Sequence, residues 1–178
     1  MKNKVDQKKL PWKVSIIIIF GVIGTLIAGA LGMINIRNYY YSILFVSITT
    51  GLGVATGILS GIKYKRILTA KPGANFIGIV LYLCMFFSTV FLFLASTLNR
   101  QLSKKEVVAD CVVLYKYHQE SHGRSEEINY VLVNIGGEEH KLSCRRDYEI
   151  GAKVGQKVIV NVYKSPLGFD FAEPAGHN

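Results

Sequence analysis

Three stretches of this chain, Val14 to Ile34, Tyr41 to Ile62 and Ala74 to Leu98, contain no Asp, Glu, Lys, Arg or His. A hydrocarbon core of roughly 30 Å takes about 20 helical residues at ~1.5 Å each, and every one of the three reaches that length. A surface helix of a water-soluble protein keeps a polar face, so helices apolar all round for so long predict three membrane crossings. The charge is concentrated around them. Residues 1 to 98 hold ten basic side chains against one acid, Asp6, whereas residues 99 to 178 hold eleven of each sign. The formal charge of +9 therefore belongs to the loops flanking the apolar stretches. It points to a lipid bilayer as partner and away from nucleic acid.

The basic residues also predict an orientation. Lys2, Lys4, Lys8, Lys9 and Lys13 precede the first span in a short basic segment, residues 1–13, and Lys63, Lys65, Arg66 and Lys71 fill the connection between the second and third. Only Arg37 lies between the first and second. Retention of positive charge in the cytoplasm puts the N-terminus and the second connection inside, so a three-span domain over residues 14–98 delivers the C-terminal part outside. Arg100, Lys104 and Lys105 pull the other way with fewer charges. Trp12 at the inner end and Tyr39, Tyr40 and Tyr41 at the outer turn sit where amphipathic rings favour the headgroup layer. Pro11 stands at the first helix entrance, where a missing amide hydrogen costs nothing. The basic head, apolar run and Ala28-Gly29-Ala30 also imitate a secretory signal, but the apolar run is longer than the usual ~7–15 residues, which favours an uncleaved anchor. The expected location is the plasma membrane, multi-pass.

Small residues recur along two of the spans. Gly53, Gly57 and Gly61 make a strip on the second, and Gly24, Ala28 and Gly32 a matching strip on the first. Because lipid is as apolar as Leu, close backbone approach at such strips supplies much of helix association in a bilayer. The expectation is a glycine-zipper hairpin of spans one and two, with an oligomer joined through the second strip, even a pore or transport subunit, as the alternative. Span three, bulky with Phe76, Tyr82, Phe86, Phe87, Phe91 and Phe93, reads as a lipid-facing stalk. No ionisable group lies inside any span, which argues against ion-coupled transport and voltage sensing.

From residue 106 to 172 the texture changes to short alternating runs, the period of strands. Val107 to Tyr117, Ile128 to Ile135, Glu139 to Cys144, Lys157 to Tyr163 and Phe169 to Phe171 are the expected strands. Gly136-Gly137 supplies a hairpin turn, Asp147 to Gly155 a connector with room for one helical turn, and residues 173–178 a flexible tail. A segment this short forms one small core, so the fold expected is three transmembrane helices followed by a five-stranded antiparallel barrel or sandwich. The run Gly155-Gln156-Lys157-Val158-Ile159-Val160-Asn161-Val162-Tyr163-Lys164-Ser165-Pro166, preceded by Tyr130-Val131-Leu132-Val133 and the glycine hairpin, resembles an uncharacterised family of small bacterial membrane proteins. That resemblance covers roughly residues 107 to 174 and departs from the family pattern in the long His118 to Glu127 insertion. It implies a tethered extramembrane β domain of the bacterial envelope and no assigned activity.

Few residues carry chemistry. Cys111 and Cys144 are candidates for a disulfide if the domain lies in an oxidising compartment, and otherwise two small apolar side chains. Cys84 lies within span three. His118, His122, His140 and Cys144 are the chain's weak metal candidates, lacking the tight spacing of structural zinc sites. His177 lies in the tail. No Ser-His-Asp or Cys-His set and no phosphate-binding glycine loop can be placed, so neither catalysis nor a cofactor is expected. Arg145 and Arg146 are basic enough to meet anionic headgroups. The function expected is a non-catalytic, membrane-anchored binding or scaffold module that engages an envelope protein through its β domain, at sheet edges or the His118 to Glu127 loop. An immunity-type membrane protein is a variant of that reading.

Overall fold

The computed structural model describes residues 12–68, 75–120 and 127–175. Its helices are α1 (Trp12–Asn35), α2 (Ser42–Lys63), a single turn α3 (Lys65–Leu68), α4 (Phe76–Leu102) and a short α5 (Arg146–Gly151). The strands are β1 (Lys104–Gln119), β2 (Ile128–Ile135), β3 (Glu138–Ser143), β4 (Lys157–Lys164) and β5 (Phe171–Pro174). Helices α2 and α4 are each long and apolar enough to cross a bilayer, and Phe20–Asn35 of α1 is a shorter apolar helix. Asn75 starts α4 by accepting a hydrogen bond from the Gly78 amide at 3.2 Å, which satisfies one of the unpaired donors of the first turn. The basic residues Lys63, Lys65 and Arg66 lie at the end of α2 remote from the sheet; Lys2, Lys4, Lys8, Lys9, Lys71, His122 and His177 fall outside the described residues.

Helix packing differs from the expected hairpin. Helix α4 is the centre of the bundle, with α2 on one side and α1 on the other, while α1 and α2 scarcely touch. The Gly53, Gly57 and Gly61 strip faces Ser88, Cys84 and Val80 of α4, and a Cβ added at Gly57 would lie 2.6 Å from the Cys84 backbone. Small polar side chains on α4 explain the choice. Ser88 donates to the Thr50 carbonyl at 3.3 Å and Cys84 to the Val54 carbonyl at 3.6 Å, so α4 supplies both close approach and hydrogen bonds that α1 lacks at these levels. On the first helix, Gly29 and Gly32 meet Thr89 and Leu92 of α4, Ala28 is half-buried, and Gly24 faces open space. Helix α4 is thus the one that both other helices pack against, and it leads directly into β1.

The five strands form one antiparallel sheet in the order β3-β2-β1-β4-β5. A single sheet excludes the two-sheet sandwich. Strand β1 is the long spine: its first half pairs with β4, its second half with β2, and a bulge between Val113 and Tyr115 bends it where the partners change. The sheet curls into a half-barrel until its edge strands β3 and β5 approach one another. Alternation fills the interior with Val113, Val131, Val133, Leu142, Val160 and Val162, all buried. After the bulge, Lys116 turns inward and anchors α5, donating to the Glu149 and Ala152 carbonyls at 2.7 and 3.0 Å with the Glu149 carboxylate 3.2 Å away. Three boundaries moved by three residues or more. Helix α4 continues to Leu102, β1 follows at Lys104 after one intervening residue, and the last strand runs from Phe171 to Pro174.

Candidate functional site at the junction of helices and half-barrel

The short connection from Ile36 to Tyr41 does more than join two helices. Asn38 is buried and its side-chain amide imitates a strand backbone: Oδ1 accepts from the Ser143 amide at 2.8 Å and Nδ2 donates to the Ser143 carbonyl at 3.4 Å, at the end of β3. Its own carbonyl accepts from the Ala172 amide of β5 at 3.2 Å. Tyr40 donates its amide to the Asp170 carbonyl at 3.1 Å, and Tyr39 forms an isolated antiparallel bridge with Phe171. The loop between α1 and α2 therefore lies between the two free edges of the sheet and closes the half-barrel. Those edges were the expected sites for strand addition by a partner. Here they are already engaged at Ser143 and at residues 170–172.

Helix α4 locks the other side. Asn99, fully buried, donates from Nδ2 to the Phe169 carbonyl at 2.8 Å and accepts from the Ser165 hydroxyl at 2.6 Å, fixing the β4–β5 turn. A buried amide with both ends satisfied is worth keeping, because leaving either end unpaired costs about 1–3 kcal/mol. Arg100 donates to the Asn35 carbonyl at 2.8 Å and to Glu173 at 2.7 Å while its guanidinium covers the Phe171 ring at 4.7 Å. Around these lies an aromatic cluster in which Tyr39 meets Phe45 and Phe171, Phe45 meets Phe169, and Tyr163 stacks on Phe171. The Tyr39 hydroxyl donates to the Ser96 carbonyl at 3.2 Å. Burial pushes Tyr39 above its ordinary pKa, and burial with the nearby Asp170 pushes Tyr40 up to about 12, so both phenols stay neutral.

The residues singled out for chemistry are dispersed. His118 faces Asn129, with Nδ1 and Oδ1 at 2.6 Å, and Arg146, with Nε2 at 2.6 Å from the guanidinium, so it is held by a polar network that also includes Glu127. His140, on β3, stacks on Tyr40 at 3.9 Å, and burial lowers its pKa. Among the described residues no group of three or more His, Cys, Asp and Glu side chains gathers as for a metal. Cys111 and Cys144 are both free thiols. The pairing explains why they are not strand partners: Cys111 lies beside the Val112–Asn134 pair at one end of β2, whereas the Cys144 amide bonds the Asn129 carbonyl at the other. Burial raises both thiols above the ordinary range, Cys144 to about 11.

Sequence reasoning passed over Asn38, Asn99 and Arg100, the residues that carry the junction. A signal existed in the three Asn residues at positions 35, 38 and 99, which stand at the sheet-side ends of apolar helices where polar amides are otherwise rare. Comparison with protein-family models, with curated proteins and with solved structures finds no match to this chain.

Proposed function

We propose that this chain is a three-span plasma-membrane protein whose extracytoplasmic half-barrel binds or organises another envelope component, by positioning and not by catalysis. The observation that supports it is the closed junction. A β domain tethered by one flexible stalk would swing freely, whereas this one is stitched to the α1–α2 connection by Asn38 and to the end of α4 by Asn99 and Arg100. Such a head holds a fixed height and angle above the helices. Lys63, Lys65 and Arg66 lie at the opposite end of the bundle from the sheet, which fits a cytoplasmic loop and an outer domain. With the edges engaged at Ser143 and at residues 170–172, this reading takes the partner to bind at the far end of the half-barrel, at the Gly136–Gly137 hairpin. The glycine strip of α2 is covered by α4 of the same chain, which favours this reading over a pore assembled through that strip.

Two measurements test this. A reporter fused after Asn178 is expected to be active only outside the cytoplasm; activity inside overturns the orientation. A photo-crosslinking side chain placed at Glu138, beside the hairpin, is expected to capture a second envelope protein in living cells, while one at Ile58 on α2 captures none. Capture from neither position, or from both alike, refutes recognition by the outer end.

A further inference from the structure

Arg37 in the α1–α2 connection, Ser42 at the first turn of α2 and Lys141 on β3 line two adjoining hollows of about 390 and 280 Å³. We propose that this cleft binds the headgroup of a membrane phospholipid, a zwitterionic phosphoethanolamine, with its phosphate between Arg37, Lys141 and the N-terminus of α2. The proposal rests on the membrane reading above.

Each part of the cleft answers a part of that ligand. A guanidinium offers paired donors that match phosphate oxygens, and an ammonium opposite adds a second charge. Lys141 is held in place because its Nζ lies 3.9 Å from the centroid of the Tyr130 ring. Helix α2 opens at Ser42 with no side chain capping it, and Ser42 lines both hollows, so the helix's positive dipole end borders the same space. The cleft also contains two carboxylates. Glu127 borders the larger hollow and Glu139 the smaller. Hydrogen bonds from Asn129 and Arg146 hold Glu127 below the ordinary carboxylate range, so it is ionised at neutral pH. These acids repel a bare phosphate dianion and attract an amine, which is the charge pattern of phosphoethanolamine. The location selects a lipid over a soluble source. Immediately beyond Ser42, Ile43 is 84% and Leu44 54% exposed, an apolar face on which acyl chains below a bound headgroup would lie.

The test uses the full chain, delipidated in detergent, with phosphatidylethanolamine, phosphatidylglycerol or soluble O-phosphoethanolamine added, read by native mass spectrometry and by thermal midpoint. Phosphatidylethanolamine is expected to bind best. Arg37→Gln and Lys141→Gln are each expected to weaken it roughly tenfold or more, as the loss of a charge-assisted hydrogen bond implies. Lys141→Arg should retain binding, Lys157→Gln on β4 should change nothing, and Glu127→Gln should erase the preference over phosphatidylglycerol. Equal binding of both lipids by the unaltered chain, or unchanged binding in the Arg37 and Lys141 variants, overturns the site. Soluble O-phosphoethanolamine binding as tightly as the lipid overturns the lipid as its ligand. A chain recovered in the soluble fraction without detergent sinks the membrane reading instead, and so distinguishes the two failures.

Discussion

The helical half and the half-barrel bury opposite kinds of side chain. Between α2 and α4 the buried positions include Thr49, Gly53, Gly57 and Gly61, the glycines set against Ser88, Cys84 and Val80, while Phe20, Ile43 and Ile77 stand 71%, 84% and 69% exposed. In the half-barrel the buried positions are Val131, Val133, Leu142 and Val160, and Lys, Glu and Arg cover the outside. Water supplies the driving force for the second arrangement, because burying an aliphatic side chain releases apolar surface from it. In the first arrangement contact comes from backbones brought together where side chains are absent, the mode of packing that serves where the surroundings are themselves apolar.

This contrast is best broken at its tightest contact. Gly53→Val is expected to have the largest effect, because an added Cβ collides with the Ser88 backbone and the two helices cannot seat; loss of a cooperative thermal transition in detergent is the expected readout. Gly24→Ala, at a glycine facing open space, should leave the transition where it was. If both glycines tolerate substitution equally, the account of the bundle fails. In the half-barrel the sensitive change is truncation. Leu142→Ala should cost about 2–5 kcal/mol in denaturant unfolding while leaving the α2–α4 contact intact, as site-specific cross-linking between Cys residues introduced in those helices would check.

The junction comes next in size. Asn38→Ala leaves the Ser143 amide and carbonyl without their partner and should cost about 1–3 kcal/mol, with faster hydrogen exchange at Ser143. Unaltered exchange there would mean that the loop does not close the sheet. The smallest effect concerns pH. Burial lowers the His140 pKa below its unfolded value, so the neutral ring contributes stability that is present above about pH 6.5 and is lost as pH falls toward the folded pKa. The midpoint of unfolding should therefore drop between pH 7 and 5, and His140→Phe, which keeps the stack on Tyr40, should flatten that part of the profile. A profile identical in the two proteins would show that His140 carries no proton-linked stability.

Much of this could be read along the chain. Helix positions followed from uncharged length, and β2, β3 and β4 from alternation whose ends the structure moves by one residue at most. The buried side chains Val131, Val133, Val160 and Val162 recur at the same period. Glycine spacing identified a contact face on α2 correctly and its partner wrongly, because a strip of small residues specifies closeness and not identity. Ser88 and Cys84, which decide the partner, are hidden among the Phe residues of α4.

The candidate site was less legible for a related reason. Asn38 acts on Ser143, 105 residues away, and Asn99 on Phe169, 70 away. Local pattern shows that an amide stands at the end of an apolar helix, but not which carbonyl it will meet. The sequence by itself determined which segments are helix or strand and which faces are apolar, since these depend on neighbours a few positions apart. Tertiary structure alone decided that α4 lies in the middle and that a helix connection completes the sheet, because those outcomes depend on which distant backbone groups remain unpaired until the chain brings them together.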